Sequence, residues 1–157
     1  MKKLLLSVSS LLFIFGFIST ASTDDLYHPK RILPVAKSKA HPFAKHHIVF
    51  HISSGSGFEQ RLVLNNASNI SRHYGPDNVA VEVVAYGPGL RLLFKENVQA
   101  NRIKGLAGLG VTFSACGNTM KAMGRKMSGL IKGTKYTPAG VARIVELQEA
   151  GWTYIRP

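Results

Sequence analysis

The sequence predicts an α/β protein, specifically a three-layer α/β/α sandwich with a mainly parallel five-stranded sheet. Short β-rich apolar runs alternate with segments of helical periodicity, which is typical of βαβ units and a parallel sheet covered by helices. One run, Asn78–Ala85, is dominated by valine, as expected of a strand buried on both faces. A length of 157 residues favours a single folded domain.

The first residues have the pattern of a secretory signal peptide. Lys2 and Lys3 precede the apolar run Leu4–Ile18, and small residues follow it. The run is shorter than the roughly 20 apolar residues of a membrane span. We therefore predict a signal peptide over 1–21, cleavage after Ala21, a periplasmic location and no membrane span in the mature chain. An uncleaved anchor is the alternative.

A linker is predicted to join this segment to the folded domain. Residues 22–43 contain three prolines and several charges with little periodicity, which favours an extended connection. The domain itself is expected over 44–157.

The first half of the domain is predicted to hold two strands with a helix between them. His47–Ser53 is the first strand and Ser54–Gly57 breaks it. Phe58–Tyr74 has apolar residues near helical spacing, and Gly75–Asp77 ends that helix. Asn78–Ala85 is the second strand.

The middle of the domain is predicted to contain the third strand. Gly87–Gly89 is a turn, and short helices are expected over 90–94 and 98–109. Val111–Ala115 is the third strand, and Met120–Met127 is the helix that follows it.

The last elements are a short strand, a helix and a closing strand. Gly129–Lys135 is expected to be a loop with a short strand in it. Thr137 is predicted at the N-cap of the last helix, with Pro138 in its first position. This helix should end near Gly151, before the fifth strand, Trp152–Ile155.

The charge of the chain is strongly basic, with 20 Lys and Arg against 8 Asp and Glu and a formal net charge of +12. The basic residues form no long run and lack the interleaved aromatic residues that stack on bases. With export predicted as well, we expect no nucleic acid partner. The remaining alternatives are a solvated surface or a weak affinity for anionic lipid or an acidic protein.

The best candidate for chemistry is Cys116, the only cysteine of the chain. It follows an apolar strand and precedes a helix, and sites of open α/β sheets form at the carboxyl ends of strands. A helix N-terminus stabilises a thiolate, or a persulfide anion, by its positive potential. A small buried core residue is an equal alternative. With no second cysteine, a catalytic thiol would need a partner molecule.

Several neighbours of Cys116 are candidate binding residues. Asn118 and Thr119, after Gly117, would cap the following helix or hydrogen-bond a substrate held on the sulfur. The loop with Ser54 and Gly55 would offer backbone N–H groups to a small anion, although a tight βα turn is the alternative. The turn containing Gly87 and Gly89 would shape the same pocket.

His51 lies near the end of the first strand and would pair with Cys116 if the first and third strands were neighbours. On a strand, His47 and His51 share one face. Two histidines without a nearby carboxylate or cysteine ligand make a poor metal site. We expect no metal and no cofactor.

With these residues placed, the chain resembles the DsrE/DsrF-like sulfur-relay family over His47–Pro157. Four segments carry the resemblance, and the last two are the most specific: HIVFHIS (47–53), leading into a helix with Asn65 and Asn66, VAVEVVAYGPGL (79–90), GVTFSACGNTM (110–120) and GVARIVELQEAGWTYIRP (140–157). The resemblance implies the three-layer fold and homo-oligomers, often trimers or hexamers. It also implies that Cys116 occupies the position at which such proteins carry a persulfide.

The leading functional hypothesis is therefore a periplasmic sulfur carrier or sulfurtransferase-like protein. Cys116 would take sulfur from a donor and pass it to an acceptor thiol or protein. Two alternatives stay open: a non-catalytic oligomeric module that binds a small anion or metabolite, and an interaction subunit of a sulfur-oxidising assembly.

Overall fold

A computed structural model of the chain describes residues 41–157. The predicted signal peptide, 1–21, and all but the last three residues of the predicted linker, 22–43, lie outside the described residues. At the start of the described part, the ring Nε2 of His41 lies 2.9 Å from the carbonyl oxygen of Gly110. Within 41–157, no helix has the length and apolar character needed to cross a membrane.

The described domain is built on one five-stranded sheet in which all four strand pairs are parallel. The strand order is β4-β3-β2-β1-β5. This confirms the predicted fold class. The strands are β1 (His46–Ile52), β2 (Val79–Ala85), β3 (Thr112–Cys116), β4 (Lys135–Thr137) and β5 (Thr153–Ile155).

Helices and 3₁₀ segments fill the connections between the strands. The longest helix of residues 41–157 lies between β1 and β2, where the sequence predicted a helix. The helical elements are α1 (Gly57–Tyr74), a 3₁₀ segment (Gly87–Leu93), α2 (Ala100–Gly108), α3 (Gly117–Ala122), a second 3₁₀ segment (Met127–Gly129) and α4 (Gly140–Glu149).

The strand order decides which helices cover which face of the sheet. The connections from β1 through β4 all step in one direction, so right-handed crossovers place α1, α2 and α3 on one face. The connection from β4 to β5 returns in the opposite direction, which places α4 on the other face. The core has the same division: Ile144 and Leu147 of α4 pack with Val49 and Val84, apart from the larger cluster under the other helices.

The centre of the sheet is closed to solvent on both faces. Every residue of β2 is buried, which explains its valine-rich sequence. Phe50 of β1 and Leu64 of α1 are fully buried beside it. Burying a side chain of this size contributes about 1.5–3 kcal/mol relative to leaving it in water.

The element boundaries differ from the predicted ones around β3 and β4. Cys116 is the last residue of β3 instead of a turn residue, and α3 begins at Gly117 instead of Met120. Thr137 does not cap a helix. It belongs to β4 and pairs with Cys116, so its backbone is held extended by the sheet. The last helix consequently begins at Gly140, two residues later than the predicted first position, Pro138.

Candidate functional site

The candidate site lies where two neighbouring strands send their chains to opposite faces of the sheet. β3 ends at Cys116 and continues into α3 on one face, whereas β4 ends at Thr137 and leads to α4 on the other. Such a switch point leaves a crevice at the carboxyl edge of a parallel sheet, and ligands of open α/β proteins bind there. Cys116 therefore stands between the N-termini of α3 and α4.

The sulfur of Cys116 is surrounded by hydrogen-bond donors. The backbone N–H of Gly140, the first residue of α4, donates to Sγ at 3.2 Å. Burial opposes ionisation, but the hydroxyl of Thr119 and the N–H groups of Gly140, Thr119 and Asn118 outweigh it. The net effect lowers the pKa of the Cys116 thiol below its ordinary value. Hydrogen bonds to the charged form are a sufficient cause of such a shift.

Two glycines let the surrounding chain approach this cysteine closely. A Cβ atom on Gly140 would lie 3.1 Å from Cβ of Cys116 and 3.2 Å from Cβ of Tyr86, so α4 packs here more closely than a residue with a side chain would normally allow. A Cβ atom on Gly117 would overlap the phenol ring of Tyr136. The ring of Tyr136 therefore lies directly over the first residue of α3.

Access to the sulfur is restricted in the single chain. Cys116 is only 5% exposed, while Tyr136 on the edge strand β4 is 57% exposed. Tyr136 packs over Gly117, so its ring lies beside the residue that follows the cysteine.

The structure brings the loop after β2 against the start of α3, which follows Cys116. The N–H of Gly87 donates to the hydroxyl oxygen of Thr119 at 2.9 Å, and the positive φ of Gly87, 51°, favours glycine there. Gly89 has a different role. It packs against the carbonyl of Ile52 too closely to admit a Cβ atom. This close contact holds the ends of β1 and β2 together.

The Ser54–Gly57 loop does not join the site around Cys116. It follows β1, and β2 separates β1 from β3, a spacing of about 10 Å across the sheet. Ser54 Oγ accepts the N–H of Ser56 at 3.1 Å, and the carbonyl of Gly55 accepts a weak hydrogen bond from Gln60. These contacts are those of a compact βα turn.

His51 does not pair with Cys116, because the first and third strands are not neighbours. Its Nδ1 lies 2.5 Å from the hydroxyl of Tyr154, and its Nε2 lies 3.2 Å from the hydroxyls of both Tyr86 and Ser53. Burial, and then the charge of Arg156, lower the pKa of His51. The side chain is thus a buried, hydrogen-bonded histidine stacked between two tyrosines.

Metal ligands do not gather in this part of the protein: residues 41–157 contain no group of three or more His, Cys, Asp or Glu side chains placed to hold an ion. His46 stacks on Tyr74 and His47 packs on Trp152. The neighbouring histidines thus point to opposite faces of the sheet, because successive side chains of a strand alternate.

The sequence analysis missed three residues that border the cysteine or fix its surroundings. Gly140 and Tyr136 come from the segment that was assigned to a loop and a helix start, so their approach to Cys116 depended on the pairing of β4 with β3. The third, Glu82, is a charged residue inside the valine-rich β2, and that interruption was a usable signal of a buried ion pair.

Fold and site together define a class: a three-layer α/β protein with one thiol held at the switch point of a parallel sheet. The model of the DsrE/DsrF-like family matches residues 46–157, and the chain belongs to this family. The match confirms the resemblance seen in the sequence and relates the protein to sulfur-relay proteins. No curated protein matches the chain.

Solved structures support the same assignment. The protein of unknown function MTH1491 from Methanobacterium thermoautotrophicum is 34% identical with a TM-score of 0.69, over 72% of this chain and 100% of that one. The conserved protein of unknown function BT1422 from Bacteroides thetaiotaomicron is 14% identical with a TM-score of 0.58, over 71% of this chain and 94% of that one. The second likeness concerns the fold alone.

Proposed function

We propose that this protein is an exported sulfur carrier that holds sulfane sulfur as a persulfide on Cys116. The observation that carries the proposal is the hydrogen bond from the N–H of Gly140 to Sγ, in a setting that lowers the thiol pKa. The thiolate is the nucleophilic form of cysteine. A site that stabilises it at the switch point of the sheet is suited to attack a sulfur donor.

The loading step needs no oxidant. With thiosulfate as donor, the Cys116 thiolate attacks the outer sulfur, the new S–S bond forms, and the S–S bond of thiosulfate breaks to release sulfite. The electron pair of the broken bond leaves with sulfite, and the persulfide keeps one negative charge. The donors around Sγ, including the N–H of Gly140, lie where that anion develops, as electrostatic stabilisation requires.

The unloading step restores the starting thiolate. An acceptor thiolate attacks the terminal sulfur of the protonated persulfide, its own persulfide forms, and the Cys116 thiolate leaves. A thiolate with a lowered pKa is a better leaving group, so the same hydrogen bonds assist delivery. Since the chain has a single cysteine, the acceptor must be another molecule.

The proposal includes a periplasmic location after cleavage at Ala21, and assembly into a homo-oligomer, a trimer or hexamer. Assembly is supported by the thin cover on one face of the sheet, where α4 is the only helix among residues 41–157. Val141 and Val145, one turn apart on α4, are 57% and 48% exposed and form an apolar surface that a second copy of the chain would cover.

The test is intact-protein mass spectrometry after incubation with thiosulfate or polysulfide. The wild type should gain the mass of one sulfur atom, about 32 Da, and dithiothreitol should remove it. Cys116→Ser should gain none. If the wild type takes up no reducible sulfur beyond what Cys116→Ser shows, the carrier function is wrong.

The burial of Cys116, which is 5% exposed, favours a second candidate: a non-catalytic module that binds a small anion in the crevice. Here the cysteine would line the pocket without reacting. Thermal unfolding with sulfite or thiosulfate tests the binding module, in which Cys116→Ser should keep the ligand-induced stabilisation. The mass measurement tests the carrier, in which Cys116→Ser should lose sulfur loading.

A further inference from the structure

A buried carboxylate lies on the face of the sheet that α4 covers. Glu82 stands in the middle of β2 and is only 3% exposed, among buried valine and alanine residues. Removing a charge from water is expensive unless it is paired and fully hydrogen-bonded. The partners of Glu82 therefore indicate why a charge is retained there.

All the partners of Glu82 tie neighbouring elements together. Arg143 of α4 donates from Nε to Oε1 at 3.0 Å and from Nη2 to Oε2 at 2.9 Å. Ser114 of β3 donates its hydroxyl to Oε1 at 2.7 Å. The two parallel bonds between guanidinium and carboxylate fix orientation as well as distance.

Arg143 lies one helical turn from the residue that contacts the cysteine. Its own N–H bonds to the carbonyl of Ala139, so it belongs to the first turn of α4 together with Gly140. Ala139 at the N-cap makes no side-chain hydrogen bond to this helix end. The ion pair to Glu82 links the first turn of α4 to β2 through two hydrogen bonds.

We infer that the Glu82–Arg143 pair is a positioning device that holds the N–H of Gly140 against Sγ of Cys116. The inference deepens the proposed function and rests on it, because it names the residues that prepare the thiolate. Both are positioning residues: Glu82 holds Arg143, Arg143 holds the first turn of α4, and that turn aims the N–H.

The pair acts through geometry and not through its own charge. Burial opposes ionisation of the Cys116 thiol, and the groups that lower its pKa are the neutral donors of Thr119, Gly140 and Asn118. The other ionisable groups nearby are Glu146, which pairs with Arg143 on α4 at 3.5 Å, Tyr86, which follows β2, and Tyr136 of β4.

Stability alone is a poor reason for this pair. A buried ion pair contributes little net stability compared with apolar residues of the same volume. Its directional hydrogen bonds, however, define the position of a helix more strictly than apolar contacts do. Strict placement is what a 3.2 Å contact between an N–H and a sulfur atom requires.

The first experiment measures the thiol pKa from the rate of iodoacetamide alkylation across pH, without any sulfur donor. We expect Arg143→Gln and Glu82→Gln to raise the pKa of Cys116 by about one unit, so alkylation below that pKa slows about tenfold. Glu146→Gln is the matched control. It removes the exposed partner of Arg143 and should leave the profile unchanged.

The second experiment follows the amide of Gly140 by NMR. In the wild type its proton shift should titrate together with Cys116, because the N–H donates to the sulfur. Arg143→Gln should lose this titration. Arg143→Lys keeps the charge without the bidentate geometry and should give an intermediate result.

The inference is wrong if folded Arg143→Lys and Glu82→Gln keep both the thiol pKa and the Gly140 titration of the wild type, even where they unfold more easily. Arg143→Lys decides the matter if Arg143→Gln does not fold. Failure of sulfur loading in the wild type, with the pKa shifts present, would overturn the carrier function and leave the positioning role standing.

Discussion

The backbone N–H of Gly140 points at Sγ of Cys116 across 3.2 Å, although 24 residues separate them in the chain. Cys116 ends β3 and is the N-cap of α3, and Gly140 begins α4 on the opposite face of the sheet. The N-terminal ends of two helices thus lie at the sulfur, and both favour negative charge there. Predictions about the thiol follow from this arrangement.

The hydroxyl of Thr119 is expected to be a principal cause of the lowered thiol pKa. Thr119→Val keeps the shape of the side chain and removes the donor, so the pKa of Cys116 should rise by about one unit. The measurement is the pH dependence of alkylation. Thr119→Ser restores the hydroxyl and should restore the profile. Equal profiles for the valine and serine variants would show that the hydroxyl does not act on the sulfur.

Replacement of Gly140 by alanine should destabilise the protein. The new Cβ atom would lie 3.1 Å from Cβ of Cys116 and 3.2 Å from Cβ of Tyr86, so α4 or its neighbours must shift slightly to admit it. Overpacking of this kind costs about 1–3 kcal/mol in the free energy of unfolding. Urea denaturation measures it.

Gly105 provides the control for that prediction. It lies within α2, and nothing stands within 4 Å of the position of an added Cβ atom. Gly105→Ala should therefore stabilise the protein by about 0.5–1 kcal/mol through helix propensity. A stable Gly140→Ala variant with an unshifted thiol pKa would contradict the close packing of α4 on Cys116.

The ring of Tyr136 is expected to limit access to Cys116, because it lies over Gly117 at the edge of the crevice. Above the thiol pKa, where ionisation no longer limits the rate, Tyr136→Ala should accelerate alkylation several-fold. Tyr136→Phe keeps the ring and should react as the wild type does. If the alanine variant reacts no faster, another element controls the entrance.

The protein should become less stable as the pH falls from about 7.5 to 5. Burial, followed by the charge of Arg156, lowers the pKa of His51 in the folded protein, so the unfolded chain takes up its proton first. The contribution to stability is complete above the unfolded pKa of about 6.5 and is lost as the pH falls through the folded value.

The measurement is the urea midpoint at each pH. Its decline should be smaller in His51→Gln, which cannot take up the proton. The remaining decline is expected to include His47, whose pKa is lowered by burial and then by His46. An identical decline in the wild type and His51→Gln would mean that His51 is accessible to protons in the folded state.

Local sequence determined the kind and order of most elements of this domain. Two signals in neighbouring residues were sufficient for this. The periodicity of apolar residues indicated β2 and α1, and the glycine and proline after α1 marked its end. The fold class followed from that order, and so did the choice of Cys116 as the residue at a strand end. The resemblance to the family rested on four residue segments, above all GVTFSACGNTM (110–120) and GVARIVELQEAGWTYIRP (140–157).

Tertiary structure decided what surrounds that cysteine. Thr137 satisfies the local rules for a helix cap, yet pairing with Cys116 holds it in β4 and delays α4 until Gly140. The strand order places β2 between β1, which carries His51, and β3, which carries Cys116. The two residues are therefore apart, whereas neighbouring strands would have brought them together. Pairing between distant segments and the direction of a crossover depend on the burial of whole surfaces, and no local pattern contains that information.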